Sequence, residues 1–322
     1  MSWATPAAVA GHQSDFSSRR YPRFQRESPQ EEVSEIDSNN LPADARKMLI
    51  GPVSEPAIHV MSWNIRRRMP HLLSRPADRW NRRAPRLRML LQEEKPTLLG
   101  AQEVLPDQLR YIRESLGENY RSVGKGRDRN GGDEACPIFY DTRRLELLDW
   151  AQQALSKQPD TPGSVSWGSV FPRILVWASF RERATSSRFL MLNTHLDHLS
   201  RRSRAHSALA IHQIISTHGV PSVLSGDFND SLHSASLRGL YSTGLLADTW
   251  QVAQSHASEE WGTFPNYRAP RRGGRRIDGI LASPAFKVQS TAINSRQYHG
   301  GWASDHLPVH ALILPPENGA RT

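Results

Sequence analysis

The chain has 322 residues, of which 38% are hydrophobic and 23% are charged, and its formal net charge is +9. This balance is typical of a soluble globular protein, and no uninterrupted apolar run approaches the roughly 20 residues that a membrane-spanning helix needs. Arg19-Arg20 is not followed by the apolar run of an export signal, and the single cysteine, Cys136, excludes an intramolecular disulfide, so we expect a cytoplasmic protein.

Residues 1–55 are rich in Ser, Pro, Gln, Arg and Glu, and their apolar residues are scattered. A segment of this composition cannot bury enough apolar surface to offset the entropy lost on folding. We therefore predict a largely disordered tail over 1–55, in which 31–50 could hold a short helix. A folded domain is predicted over 56–316, followed by a short tail at 317–322.

From residue 58 onward, short apolar runs alternate with longer amphipathic or loop segments. The runs predict nine strands, at 58–63, 97–102, 136–140, 174–180, 189–194, 222–225, 277–281, 288–293 and 308–314. Helices are predicted at 86–94, 107–116 and 201–217, the last with apolar residues at three- and four-residue spacing. Because strands occur both consecutively and in alternation with helices, we expect an α/β (α+β) fold with two sheets packed together and helices outside.

The positive charge is concentrated in two arginine-rich stretches, 66–88 and 268–276. They could form an electropositive rim that attracts a polyanion such as nucleic acid or a phosphorylated headgroup. They could equally be solvated loops, and the sequence leaves both interpretations open.

Several predicted strands end in polar side chains. Asn64 follows the first apolar run, Glu103 follows the second, and His195 ends the run that begins at 189. A strand end holds a side chain rigidly at the edge of the solvent, where it can act on a ligand. Each of these residues alone would more often be a simple strand terminator.

The segment Gly226-Asp227-Phe228-Asn229 places a carboxylate and an amide two residues apart. In extended backbone both side chains point to the same side, so Asp227 could take a proton from water while Asn229 positions that water or a phosphate oxygen. The alternative is a turn closed by Asx hydrogen bonds.

The last candidate pair comes from two segments near the end of the chain. Asp278 follows Arg276-Ile277 in an apolar run and needs a partner if it is buried, and Ser304-Asp305-His306 supplies one just before the last strand. Asp278 would fix the tautomer of His306 and favour its charged form, while Asp305 could face a metal.

The sequence has no phosphate-binding loop with a Gly-Lys-Ser/Thr ending, no cysteine-based zinc site and no Gly-x-Ser-x-Gly elbow. The candidate ligands are mainly oxygen atoms of Asp, Glu and Asn. Such ligands suit Mg²⁺ or Mn²⁺ as the cofactor.

Taken together, Trp-Asn-Ile, Gln-Glu-Val, Asn-Thr-His, Gly-Asp-Phe-Asn, Arg-Ile-Asp and Ser-Asp-His resemble, in this order, the motifs of the endonuclease/exonuclease/phosphatase superfamily. The resemblance covers about residues 58–314. Within this deoxyribonuclease-I-like group, the sequence is most similar to bacterial members through residues 137–140, 162–167 and 172–173.

The resemblance implies a four-layered αββα sandwich of two mainly antiparallel sheets, with the site at one edge of the paired sheets. It implies that Glu103 ligates an essential divalent metal, with Asn64 and Asp305 close to it. His195 would contact the scissile phosphate, Asp227 would activate water that Asn229 positions, and Asp278 and His306 would support them. We also expect Arg173 and Tyr140, from the bacterial segments, to contact the substrate.

The resemblance implies a phosphoester hydrolase, and the net charge leads us to prefer a nuclease or phosphodiesterase that acts on nucleic acid. The alternatives are a phosphatase of inositol phosphates or other small phosphoesters, and a module that binds polyanions without turnover. Because every expected catalytic side chain is present, we favour an enzyme, and we expect a monomer without a transmembrane segment.

Overall fold

The computed structural model describes residues 48–70, 72, 74–241 and 243–316. Residues 1–47 of the tail predicted at 1–55 lie outside these residues, as do the short tail predicted at 317–322 and most of the helix considered at 31–50. Residues 48–51, which we expected in the tail, are held against the domain because Leu49, Ile50 and Gly51 donate their N–H groups to the Glu94 carboxylate at 2.9–3.2 Å.

The described residues form thirteen strands and four α-helices, together with 3₁₀ turns at Pro76–Asp78 and Ala235–Leu240. The strands are β1 (Ile58–Asn64), β2 (Leu98–Gln102), β3 (Tyr120–Val123), β4 (Ile138–Asp141), β5 (Leu145–Ala154), β6 (Ile174–Glu182), β7 (Arg188–His195), β8 (Ser222–Asp227), β9 (Ala247–Asp248), β10 (Ser255–His256), β11 (Asp278–Ala282), β12 (Lys287–Ile293) and β13 (Val309–Leu314). The helices are α1 (Trp80–Glu94), α2 (Pro106–Leu116), α3 (Arg201–His218) and α4 (Thr249–Val252).

These strands make two sheets. One has the order β10-β12-β13-β1-β2-β4-β3 and the other β5-β6-β7-β8-β11-β9. Only β1 with β2, β7 with β8, and β10 with β12 pair in parallel among the described residues. The prediction of two mainly antiparallel sheets is therefore confirmed.

Alternation of side chains along the strands explains the four layers. Val60 of β1 faces a core between the sheets that also contains Phe189, while its neighbour Met61 faces the helices and packs in a cluster with Leu87 of α1. A third cluster joins the second sheet to α3 through residues such as Ile211. Helices thus cover the outer face of both sheets, which gives the expected αββα sandwich.

All nine predicted strands and all three predicted helices are present, with small shifts at their ends. Helix α1 begins at Trp80, six residues before the predicted start at residue 86. Pro85 lies in its second turn, where it removes one backbone hydrogen bond but does not end the helix. Strands β3, β5, β9 and β10 were not predicted. Strand β5 pairs with β6 through a register shift between Leu147 and Asp149, which breaks the two-residue pattern that identifies a strand.

A buried polar cluster lies at the start of β1, beneath residues 48–51. His59 Nδ1 is 2.9 Å from the Gly51 carbonyl oxygen, and His59 Nε2 is 2.9 Å from His310 Nδ1. Because a carbonyl only accepts, His59 donates from Nδ1 and its Nε2 accepts from His310. Burial, with the charge of His310, lowers the pKa of His59 to about 3, and burial also lowers the pKa of His310.

Candidate active site

The topology brings the predicted site residues to one end of the sandwich. Asn64, His195 and Asp227 are the last residues of β1, β7 and β8, and Glu103 follows β2 directly. Asp278 begins β11, which runs antiparallel to β8 so that Asp278 pairs with Asp227. Asp305 and His306 precede β13, which runs antiparallel to β1.

Asp227 lies at the centre of this group. Its Oδ2 accepts from the Asn64 amide at 2.9 Å and lies 3.5 Å from His195 Nε2 and 3.8 Å from His306 Nε2. Its Oδ1 accepts from the Asn229 backbone N–H at 2.9 Å. The carboxylate is therefore fixed in a single orientation between two imidazoles.

His306 is held by the carboxylate that the sequence suggested as its partner. His306 Nδ1 lies 2.9 Å from one oxygen of Asp278 and 3.1 Å from the other, and Asp278 is fully buried. Burial opposes protonation of His306, but Asp278 and Asp227 outweigh it and raise the pKa of His306 to about 10. His306 is thus an imidazolium that can stabilise negative charge at neutral pH.

Burial has the opposite consequence for Asp227. Together with the nearby charge of Asp278, it raises the pKa of Asp227 to about 7. A carboxyl group with a pKa near neutrality is well matched to the transfer of protons to and from water.

Asn229 fixes the tautomer of His195. The Asn229 amide nitrogen donates to the Leu196 carbonyl oxygen at 3.0 Å and lies 2.9 Å from His195 Nε2. Because a carbonyl only accepts, this atom is the amide nitrogen, so His195 Nε2 accepts and Nδ1 carries the proton. Burial and the charge of Arg173 lower the pKa of His195 well below its usual value, which agrees with a neutral ring.

The second part of the site contains Asn64, Glu103 and Asp305. Asn64 donates to Glu103 Oε1 at 3.0 Å, and the Arg67 backbone N–H donates to Glu103 Oε2 at 3.1 Å. The Arg66 guanidinium lies 3.8 Å from Glu103 and 3.6 Å from Asp305. Burial opposes ionisation of Glu103, but these hydrogen bonds and the charge of Arg66 outweigh it and lower its pKa.

Two carboxylates at this position fit a divalent cation. Burial raises the pKa of Asp305 against the opposing charge of His306, and the charge of Glu103 adds to the rise. Arg66 Nε, 3.6 Å from Asp305 Oδ2, is buried and has no hydrogen-bond partner among the described residues. A cation bound by Glu103 and Asp305 would relieve their repulsion. Asn64 directs its amide nitrogen toward Glu103, so its role as a metal ligand stays a prediction.

Two groups of three side chains place potential ligand atoms within 4.8 Å of one another in the described part of the chain. One is Asp227 with the Asp278–His306 pair, so ligand chemistry for a cation is concentrated at this end of the sandwich. The other is the buried cluster of His59, Glu94 and His310. We interpret that cluster as a hydrogen-bonded core feature, because Glu94 already accepts three backbone N–H groups.

Three residues of the site have left-handed backbone conformations that residues other than glycine rarely adopt. The φ angles are 58° at Arg66, 59° at Glu103 and 52° at Asn229. Non-glycine residues in this region cost about 1–3 kcal/mol and concentrate at functional sites. The left-handed turn at Asn229 also corrects our expectation of extended backbone after Asp227, since the Asx turn that we considered as the alternative is present.

A cavity of about 430 Å³ connects these groups. Asn64 and Asp278 lie behind its wall, fully buried. The cavity is lined by the expected residues Glu103, Arg173, His195, Asp227, Asn229, Asp305 and His306, and also by Arg66, Arg67, Met69, Arg127, Glu134, Phe171, His198 and Phe264.

Tyr140 does not belong to this cavity. It is buried between the sheets, with its ring centroid 5.0 Å from that of Phe180, and it pairs with Leu98 at the start of β2, whereas Glu103 follows the other end of that strand. The structure therefore does not bring Tyr140 together with the other predicted site residues, and its contact with a substrate stays a prediction.

Sequence reasoning did not assign roles to Arg66 and Arg127. Arg127 donates to Asp133 and Glu134 at 2.9 and 2.8 Å, and Arg67 also reaches Glu134 at 2.8 Å. Arg66 could have been noted because it follows Trp-Asn-Ile directly. Arg127 gave no signal, since its position depends on the loop that leads into β4.

The two arginine-rich stretches do not form one cationic surface. Arg83 is fully buried and donates to five backbone carbonyl groups, and Arg276 is buried in ion pairs with Asp248 and Glu260. Arg272 pairs with Glu259 at the surface, and the exposed Arg275 pairs with the buried Asp230. Much of the positive charge that suggested a polyanion rim is therefore used by the fold itself.

Among the residues that the structure describes, no helix is long and apolar enough to cross a membrane. A sequence model of the Endonuclease/Exonuclease/phosphatase family matches residues 61–306. No curated protein matches the chain.

Solved structures give further similarity. An endonuclease/exonuclease/phosphatase family protein from Bacteroides thetaiotaomicron is 30% identical, with a TM-score of 0.75 over 80% of this chain and 98% of that chain. A mannosyl-6-phosphatase from the same organism is 30% identical, with a TM-score of 0.74 over 80% of this chain and 99% of that chain. The human nocturnin catalytic domain shares the fold at 18% identity, with a TM-score of 0.61 over 80% of this chain and 95% of that chain.

Proposed function

The chain belongs to the endonuclease/exonuclease/phosphatase family of phosphoester hydrolases, and from this membership we propose that it is a divalent-metal-dependent phosphatase of small phosphomonoesters. The observation that carries the proposal is the cavity of about 430 Å³, with Asp227, His195 and His306 in its wall. This volume lies in the range of small-molecule sites.

A small substrate is favoured over nucleic acid for two reasons. Our preference for a nuclease depended on a cationic rim, and Arg83, Arg272, Arg275 and Arg276 are engaged in buried contacts or ion pairs. In addition, a mannosyl-6-phosphatase is similar to this chain over 99% of that protein's length and 80% of this chain, which makes sugar phosphates the first substrates to test. Nuclease activity remains the second candidate because Arg75, Arg82, Arg268 and Arg271 are exposed.

In the proposed reaction, Asp227 accepts a proton from the water that attacks phosphorus. The bond from phosphorus to the ester oxygen breaks, and the leaving alkoxide takes a proton from solvent and departs as the alcohol. Asn229 keeps Asp227 and His195 in place through its backbone N–H and its amide group. His306, charged and supported by Asp278, stabilises the negative charge on a non-bridging phosphate oxygen. Arg173 and Arg127 line the same cavity and would bind the other phosphate oxygens.

Glu103 and Asp305 would hold Mg²⁺ or Mn²⁺, and Asn64 would orient Glu103. The bound cation would neutralise charge that develops on the phosphate and on the leaving oxygen. The carboxylate oxygens of Glu103 and Asp305 are ligands that such a hard cation prefers.

The proposal is tested with Mg²⁺ and with EDTA on four compounds. Phosphate release is measured from mannose 6-phosphate and glycerol 3-phosphate, p-nitrophenol release from bis-(p-nitrophenyl) phosphate, and strand shortening for single-stranded DNA. We expect metal-dependent release from the monoesters. Asp227→Asn should reduce it by at least about 100-fold, whereas Asp149→Asn, a matched change at an exposed position on β5, should leave it unchanged.

Two outcomes would contradict the proposal. Metal-dependent cleavage of DNA without release from monoesters would make the chain a nuclease. No metal-dependent turnover on any of the four compounds would remove the enzyme interpretation.

A further inference from the structure

Two exposed aromatic side chains lie at the catalytic cavity, and two exposed aliphatic residues adjoin its lining along the chain. Phe171 and Phe264 line the cavity although their exposed fractions are 44% and 46%. Val170 and Leu199, each 64% exposed, are chain neighbours of Phe171 and of the cavity residue His198. Exposed apolar groups that border a polar catalytic centre indicate a contact with a part of the ligand other than its phosphate.

Phe171 is held in a fixed position beside polar groups. Its ring stacks near His198 with a centroid distance of 6.2 Å and an interplanar angle of 24°, and the Arg127 guanidinium lies 5.4 Å from its centroid. The loop before it is tied down because the Ser169 hydroxyl lies 2.6 Å from Asp197 Oδ2 and the Ser200 hydroxyl donates to the Trp167 carbonyl at 2.8 Å. The aromatic face is therefore preorganised for a ligand.

His198 offers a hydrogen-bond donor next to this face. Its Nδ1 lies 2.9 Å from the Arg173 guanidinium, which can only donate, so Nδ1 accepts and the ring proton is on Nε2. His198 is exposed and lines the cavity. Its Nε2–H can therefore donate to an oxygen atom of a bound molecule.

We infer that Phe171 and His198 form a seat for the leaving group and determine specificity for a ring that has an apolar face and hydroxyl groups at its edge, as a pyranose sugar does. The inference rests on the proposed phosphatase function. The C–H face of the sugar would pack on Phe171, and a hydroxyl oxygen would accept from His198 Nε2. The phosphate on the exocyclic carbon would then reach Asp227 and His306 in the same cavity.

A substrate pair separates this seat from the phosphate site. Mannose 6-phosphate has a ring and glycerol 3-phosphate has none, so only the first can use Phe171. We expect Phe171→Ala to lower kcat/KM for mannose 6-phosphate by about 5- to 10-fold, mainly through KM. The same change should alter kcat/KM for glycerol 3-phosphate by less than about twofold.

His198 is tested in the same way. His198→Ala should lower kcat/KM for mannose 6-phosphate by about 3- to 10-fold, and His198→Gln, which keeps a donor, should recover part of the loss. Val252→Ala removes an apolar side chain of similar exposure, 50%, on α4 outside the cavity. This control should leave kcat/KM unchanged for both substrates.

Equal losses on both substrates, or no loss on mannose 6-phosphate, would overturn the inference. A larger loss of kcat/KM for adenosine 5′-monophosphate than for mannose 6-phosphate in Phe171→Ala would also overturn it, since the seat would then bind a nucleobase. A second readout is calorimetric binding of mannose 6-phosphate to Asp227→Asn, with and without Phe171→Ala. Absence of turnover by the wild type would reject the proposed function, whereas unchanged binding on removal of Phe171 would reject the seat alone.

Discussion

Replacing Asp227 by Asn should lower kcat by about 100-fold or more and at the same time stabilise the metal-free protein. The ionised carboxylate is buried next to Asp278, and its pKa is raised from 3.8 to about 7. That rise corresponds to an unfavourable free energy of about 4 kcal/mol for the ionised form in the folded state. Asn keeps an acceptor for the Asn229 N–H, but it cannot accept from Asn64 on the other side, which costs about 2 kcal/mol.

The net gain should be about 2 kcal/mol at pH 8, or roughly 4 to 8 °C in Tm. The folded protein takes up a proton on Asp227 near pH 7, whereas the unfolded chain does so only near pH 4, so the wild type gains stability as the pH falls between these values. The advantage of Asp227→Asn should therefore shrink by about 1.4 kcal/mol for each pH unit below 7.

The assay is thermal unfolding in EDTA between pH 5 and 8, paired with phosphate release in Mg²⁺. We expect a higher Tm at pH 8 together with a loss of about 100-fold or more in kcat. A variant that loses both activity and stability at pH 8 would refute the reasoning, because Asp227 would then serve mainly to hold the fold.

Two further predictions concern the metal and the buried histidines. Glu103→Gln should raise the Mg²⁺ concentration needed for half-maximal thermal stabilisation by more than about 100-fold, because loss of a residue that only hydrogen-bonds to a metal ligand already costs about 10- to 100-fold in metal affinity. The control is Glu118→Gln, the same change at an exposed position. Equal Mg²⁺ dependence in both variants would show that Glu103 is not a ligand. His59 and His310 are buried with lowered pKa values, so folding loses stability as the pH falls below about 6.5, where only the unfolded chain takes up protons. His59→Gln keeps a donor for Gly51 and an acceptor for His310. In urea unfolding, it should reduce the loss of unfolding free energy by about 1.4 kcal/mol per pH unit. If the free energy of unfolding falls as steeply in the variant as in the wild type between pH 6.5 and 5, the assignment of a neutral His59 would be contradicted.

The positions of nine strands along the chain and the polar residues at their ends could be predicted from sequence because both depend on local patterns. An apolar run that closes on Asn64 or His195 indicates a strand with a polar end, whatever the rest of the chain does. The pairing of Asp278 with His306 was also predictable, since a buried carboxylate needs a partner and few candidates were available.

Other features depend on long-range packing and gave no local signal. The left-handed backbone at Glu103 is one example, whereas that at Asn229 follows the Asx turn that the sequence had offered as the alternative. Tyr140 and Arg83 have side chains that are often functional, yet one packs between the sheets and the other is enclosed by carbonyl groups from three segments. The leaving-group seat is similar, because Phe171 and His198 meet only after the loop before β6 contacts the turn after β7.

The most direct test of the central claim is hydrolysis of a phosphomonoester in ¹⁸O-labelled water with Mg²⁺, followed by mass analysis of both products. If water activated by Asp227 attacks phosphorus, each released phosphate carries one solvent oxygen, the alcohol carries none, and Asp227→Asn with EDTA gives no product above background. Label in the alcohol, or release that persists without metal and without Asp227, would contradict the account.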